Sequence, residues 1–163
     1  MDRKPIIGVM GGVSCADQIR HWAVEVGKLI ALRGGIVLCG GGSGVMEAVC
    51  EGASENGGLT IGIMPGSNSD ESPPNAYIDI VIFTGMSDAR NSINVKSSDV
   101  IIAINGGSGT LSEIGLALKN GKLVVGLSTW EPLLNGKLPN GFTKASNPED
   151  AVDKAFELLR LNI

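Results

Sequence analysis

Histidine is almost missing from this sequence: His21 is the only one. It sits beside Trp22 in a helical pattern, so a nucleophilic triad would have no loop-borne histidine to use as its base. Cysteine is scarce too. Cys15, Cys39 and Cys50 make an odd count with no C-x-x-C pair and no ligand spacing, which points to neither a disulfide framework nor a metal site and fits a reducing cytoplasm. Aromatic residues supply only 4% of the chain. No apolar run approaches the ~18 residues needed to cross a bilayer, so no membrane partner is expected. The start, Met1-Asp2-Arg3-Lys4-Pro5 before an apolar stretch, has the outline of a secretory leader. Gly8, Gly11 and Gly12 break that stretch and a periodic helix follows, so it reads as a first strand and its loop. Positive charge is also short, with 13 Lys and Arg against 17 Asp and Glu and a net charge of −4. That is the wrong sign for a surface that must neutralise many phosphates, so no nucleic-acid partner is expected. One bound phosphate is a different demand, because backbone N–H groups at a helix start can hold it.

Glycine, by contrast, is abundant. There are 24 in 163 residues, about twice the usual ~7%, without a G-X-Y period and with 43% hydrophobic residues, which excludes collagen and disorder. The length fits a single domain over residues 1–163. Short apolar runs at 6–10, 36–39, 60–64, 78–83, 100–104 and 123–127 read as strands. They alternate with helical stripes such as Ile19, Trp22, Ala23, Val26 and Ile30, or Val152, Ala155, Phe156 and Leu159. Strands that are continuously apolar are covered on both faces, so the expected fold is α/β, a doubly wound and mostly parallel sheet of six to seven strands with helices on both sides. Ligands of such sheets bind at the carboxyl edge. The stretches 65–76 and 129–143 read as long loops, the first either a flap over that edge or a solvated connection.

One feature stands out. Gly41-Gly42-Ser43-Gly44 follows one strand and Gly106-Gly107-Ser108-Gly109 follows another, each leading into a helix. A strand–GGSG–helix unit brings bare N–H groups and a positive helix end to one spot, and two on neighbouring strands could grip two parts of one nucleotide. Tight turns also favour glycine for geometry alone. Gly11 and Gly12, in the loop after the first strand, join the candidates at the same edge. The third glycine of G-x-G-x-x-G is replaced by Glu47 in the first unit and Ser112 in the second, which disfavours NAD. The Gly-Lys pairs at 27–28, 121–122 and 136–137 are preceded by Trp22, Leu116 and Glu131 where a P-loop needs glycine.

The segment Asn105-Gly106-Gly107-Ser108-Gly109-Thr110-Leu111-Ser112-Glu113 resembles the PGGxGTxxE signature of the LONELY GUY-type proteins, long mislabelled lysine decarboxylases. Gly41-Gly42-Ser43-Gly44-Val45-Met46 continuing to Gly52-Ala53 is similar to that family's GGxxGxMxxVxxGA segment, and Met86 with Arg90 resembles its methionine-and-arginine helix. Asn105 stands where the signature has proline, and Asn91 where the family has lysine. These departures are similar to a sister branch near the molybdenum cofactor carrier proteins. The resemblance implies a Rossmann-like fold, a homodimer, and hydrolysis of the N-glycosidic bond of a nucleoside 5′-monophosphate, with Arg90 and Glu113 as the catalytic pair. The alternative it leaves is a non-catalytic carrier or sensor of a nucleotide or molybdopterin-type cofactor.

Glu113 has a second reading of its own, because Thr110-x-x-Glu113 is also a capping box. Arg90 could equally be an exposed helix charge, Met46 core packing and Glu47 a first-turn acid. Pyridoxal phosphate would need a lysine at the ligand edge. Lys28, Lys96, Lys119, Lys122 and Lys154 fall in helices or at their ends away from the loops, so this cofactor is not expected and none is required. The expected site is therefore a phosphate cradle at Gly106, Gly107, Ser108, Gly109 and Thr110, with the first glycine loop facing the sugar or base.

Overall fold

In the computed structural model, which describes residues 3–161, the apolar runs become parallel strands. Met1 and Asp2 of the leader-like start lie outside the described residues. The chain runs β1 (Ile6–Gly11), α1 (Asp17–Leu32), β2 (Ile36–Cys39), α2 (Val45–Ser54), β3 (Thr60–Met64), β4 (Ile80–Phe83), a 3-10 turn (Ser87–Ala89), α3 (Arg90–Ser97), β5 (Val100–Ile104), α4 (Ser108–Lys119), β6 (Val124–Leu127), β7 (Phe142–Ala145) and α5 (Pro148–Leu161). One sheet takes the order β4-β3-β2-β1-β5-β6-β7, and all its pairings are parallel. Helices α1, α2 and α5 pack together on one face and α3 with α4 on the other. Ile7, Val9, Ile102 and Val125 fill the core beneath the first group, and Met10, Leu38, Ile101 and Ala103 the core beneath the second. This is the expected Rossmann-like architecture.

Three details differ from the sequence reading. The stretch 129–143 does not stay a loop to its end, because β7 begins at Phe142; of its four residues only Phe142 is buried, so no apolar run announces it. The fourth strand starts at Ile80, two residues later than expected, and is not covered on both faces: Ile80, Ile82 and Phe83 are 43%, 44% and 37% exposed. An edge strand needs only partial cover to keep its pairing, and β4 has one neighbour. Met86 lies before the 3-10 turn rather than within a helix with Arg90, and is itself exposed.

The sheet places the site through its order. From β1 the chain steps outward to β4, then returns to the far side of β1 as β5, so the loops after β1 and β5 diverge and leave a crevice at their carboxyl ends. Gly11 of β1 and Ile104 of β5 are register partners at that rim. No helix among the described residues is long and apolar enough to cross a membrane.

Candidate functional site

A cleft of about 260 Å³ opens at this crevice. Val9 to Val13 form its β1 side, Gly107, Ser108, Gly109 and Thr110 its α4 side, and Gly40, Met46, Asp88, Arg90, Asn91 and Glu113 complete the wall. Both members of the expected catalytic pair and most of the second glycine loop thus share one cavity. Gly41, Gly42, Ser43, Gly44 and Gly106 do not line it.

The two GGSG units, alike in letters, are unlike in structure. Their strands are not neighbours, since β1 stands between β2 and β5. The first unit packs against the β1 loop. Ser43 Oγ donates to Val13 O (2.8 Å), and a side chain at Gly44 would run into Gly12 O at 2.5 Å. From behind, Asn75 Nδ2 donates to Gly41 O (3.2 Å) and Gly42 O (2.9 Å). Asn75 thus ties the end of the 65–76 stretch to the first loop, and no residue of that stretch lines the cleft. A Cβ at Gly41 would meet Met64 Sδ at 2.1 Å and one at Gly106 would meet Thr110 Oγ1 at 2.1 Å. With φ of +77° and +92°, the backbone itself favours glycine at those two positions.

At Gly107 and Gly109 the backbone has no such preference. Both have ordinary negative φ, and a Cβ built on either meets nothing within 4 Å. Their bareness serves the open space in front of them. Helix α4 begins at Ser108 with Gly107 as its N-cap, and no side chain caps it. The first turn thus presents N–H groups and the positive helix end to the cleft, the arrangement that holds an anion.

This start also corrects the capping-box reading. Thr110 lies inside the first turn, and Glu113 does not reach back to it. Glu113 is 7% exposed, and its Oε1 accepts from Asn94 Nδ2 of α3 (2.9 Å). Burial raises its carboxyl above the ordinary value of 4.5, with the Asn94 bond and the charge of Arg90 pulling the other way. Asn94 Oδ1 is buried without a partner. Arg90 is not an exposed helix charge. Its Nη1 donates to Gly40 O (2.6 Å) and to Ile63 O, joining the ends of β2 and β3, while Nε is buried without a hydrogen-bond partner. Burial lowers its pKa and the charges of Glu113, Cys39 and Asp88 oppose that; a guanidinium stays charged regardless.

Sequence reasoning missed Gly40, Val13 and Asp88 as wall residues, and read Met46 only as core. Met46 is both buried and wall. Gly40 had a signal, since it opens the glycine run: a Cβ there would strike Arg90 Nη1 at 2.5 Å, so its bareness lets the guanidinium reach the strand ends. The Asn91 departure also has a place, because Asn91 Nδ2 donates to Ser112 Oγ (3.1 Å) and ties α3 to α4 beside the cleft.

Comparison with known proteins agrees with this architecture. A molybdenum cofactor binding protein from Rippkaea orientalis shares 42% identity at TM-score 0.87, covering 96% of this chain and 98% of that one. The molybdenum cofactor carrier protein of Chlamydomonas reinhardtii shares 40% at TM-score 0.88, covering 97% and 99%. A Mycobacterium tuberculosis cytokinin riboside 5′-monophosphate phosphoribohydrolase is 32% identical, covering 91% of this chain and 90% of its own. The SLOG cluster4 family model matches residues 4–152, a stretch that includes both glycine loops, Arg90 and Glu113, and this chain belongs to that family.

Proposed function

We propose that the cleft binds a nucleoside monophosphate or a similar phosphate-bearing small molecule, with the phosphate on the N–H groups of residues 107–110. The observation that carries this is the contrast between Gly107 and Gly109, whose missing side chains leave only open cleft, and Gly41 and Gly106, whose missing side chains make room for neighbouring protein atoms. The expected role of the first glycine loop shifts accordingly: it shapes the wall from behind by holding Val13. Arg90 adds positive charge on the β2 side of the cleft, and Glu113 puts a desolvated carboxylate within it.

The chemistry proposed is hydrolysis of the N-glycosidic bond. Cleavage passes through an oxocarbenium-like state, which the ionised Glu113 stabilises or supplies with oriented water. The C1′–N bond breaks, water oxygen bonds to C1′, and the base leaves with a proton, giving free base and ribose 5-phosphate. No cofactor enters this scheme. Likeness to the Mycobacterium tuberculosis phosphoribohydrolase supports it. Likeness to the two molybdenum cofactor proteins favours a second reading, a carrier that binds a phosphate-bearing pterin or nucleotide and does not turn it over.

Two measurements separate these. Calorimetry with AMP is expected to show binding that Gly107→Val abolishes, with a wild-type melting temperature as the check on the fold, since a Cβ there meets nothing within 4 Å. Assay of ribose 5-phosphate over a panel of nucleoside monophosphates is expected to show turnover that Glu113→Gln removes while affinity holds. Binding without turnover by the unmodified protein selects the carrier reading, and unchanged affinity in Gly107→Val discards the cradle.

Assembly belongs to the same proposal. A homodimer is expected from the family resemblance, and the exposed Ile80, Ile82 and Phe83 of β4 with Met86 beyond them offer an apolar edge for it.

A further inference from the structure

The loop after β6 grips the second glycine loop by three successive carbonyls. Thr129 Oγ1 donates to Asn105 O (2.5 Å), and Trp130 Nε1 donates in a shared bond to Gly106 O (3.1 Å) and Gly107 O (3.0 Å). Trp130 is 45% exposed and does not line the cleft, so neither core packing nor ligand contact accounts for where its ring sits.

Peptide planarity gives that grip a consequence. In a trans peptide the carbonyl and the next N–H point in opposite directions, so turning the carbonyls of Gly106 and Gly107 toward the indole turns the N–H groups of Gly107 and Ser108 away from it. The N–H of Gly106 is already spent on Asn105 Oδ1 (2.7 Å). What remains is a pair of consecutive N–H groups aimed from the helix start, the makings of an anion-binding concavity. Gly106 and Gly107 have little conformational preference of their own. The Gly107 carbonyl also accepts from Leu111 N (3.1 Å) in the first turn of α4, so the peptide between Gly106 and Gly107 is the one that most needs an outside clamp to hold one orientation.

We propose that Trp130 is a positioning residue for this site: its indole N–H fixes the peptide planes of residues 106–108 so that the N–H groups of Gly107 and Ser108 are presented to the ligand's phosphate. The proposal rests on the phosphate seat argued above and adds the device that keeps it formed.

Trp130→Phe keeps a ring and removes the N–H. The test compares it with wild type in three ways: AMP affinity by calorimetry, melting temperature, and the ¹⁵N–¹H resonances of Gly107 and Ser108 with and without inorganic phosphate. The expected result is AMP affinity about tenfold weaker, a melting temperature lowered by no more than the few degrees that one lost hydrogen bond accounts for, and both amide resonances displaced in the free protein. A merely structural tryptophan would lower the melting temperature and leave AMP affinity at the wild-type value. Wild-type affinity in Trp130→Phe, or undisplaced amides, overturns the proposal. If wild type itself binds neither AMP nor phosphate, the seat falls and this proposal with it. The amide resonances of the free proteins separate that failure from a failure of the clamp alone.

Discussion

At Glu113 two demands oppose one another. The side chain is buried, which favours the neutral acid, yet the proposed chemistry uses the carboxylate. Because the folded-state pKa is raised, the native state holds a proton that the unfolded chain has released once pH exceeds 4.5, the ordinary value. Stability from this group is therefore full below that value and is lost as pH rises through the raised one. Glu113→Gln removes the loss, and its amide carries donors where Asn94 Oδ1 has none. Thermal melts should show the variant more stable than wild type at pH 7, with the difference vanishing toward pH 4. Hydrolysis should move the opposite way, rising with pH through the same window as the carboxylate forms. The residue scale also shows where sequence stops being legible. Gly44 and Gly109 occupy the same letter of one motif, yet a Cβ at Gly44 would meet Gly12 O at 2.5 Å and one at Gly109 meets nothing within 4 Å, a difference no single sequence displays. Asn105 is similar: its replacement of proline was visible, but its φ of +49°, which a proline locked near −65° cannot adopt, was not.

Among the elements, α1 and α2 owe their close approach to a reciprocal pair of glycines. A Cβ at Gly27 would lie 1.9 Å from Val49 O, and one at Gly52 would lie 1.9 Å from Val24 O. Backbone blocks both positions, so repacking a side chain gives no relief. Gly27→Ala should cost about 2–3 kcal/mol, at the upper end of ordinary overpacking, and lower the melting temperature by roughly 2–4 °C for each of them. Denaturant melts of Gly27→Ala and Gly52→Ala would check it. The alternation of apolar runs with helical stripes made most of the sheet legible, because strands buried on both faces advertise themselves. β7 escaped notice for the converse reason, a strand with one buried residue carrying no such run. The helix–helix glycines escaped too, since a glycine in an amphipathic pattern has the same look whether it faces solvent or another backbone.

For the molecule as a whole, the proposed homodimer is checked by sedimentation at micromolar concentration. Wild type should run as a dimer, and Ile82→Glu, which puts a charge on the exposed edge strand, should shift it toward monomer; a wild-type protein that is only monomeric removes the proposal. The cleft itself straddles the junction of β1 with β5, where Ile7 pairs with Val100 and Gly11 with Ile104. Every other pairing in the sheet joins segments closer in sequence. Closing that junction carries the largest loop entropy of any strand pairing in the chain. Within the sheet, the residues before β5 and those from β5 onward meet only at this pairing, with α1 against α5 on one face and α3 against α4 on the other. Parting that pairing would dissolve the crevice and leave the other strand pairs in place. A ligand bridging Gly12 and Gly107 would then act as a rivet, slowing amide exchange most in β1 and β5 and least at the outer strands.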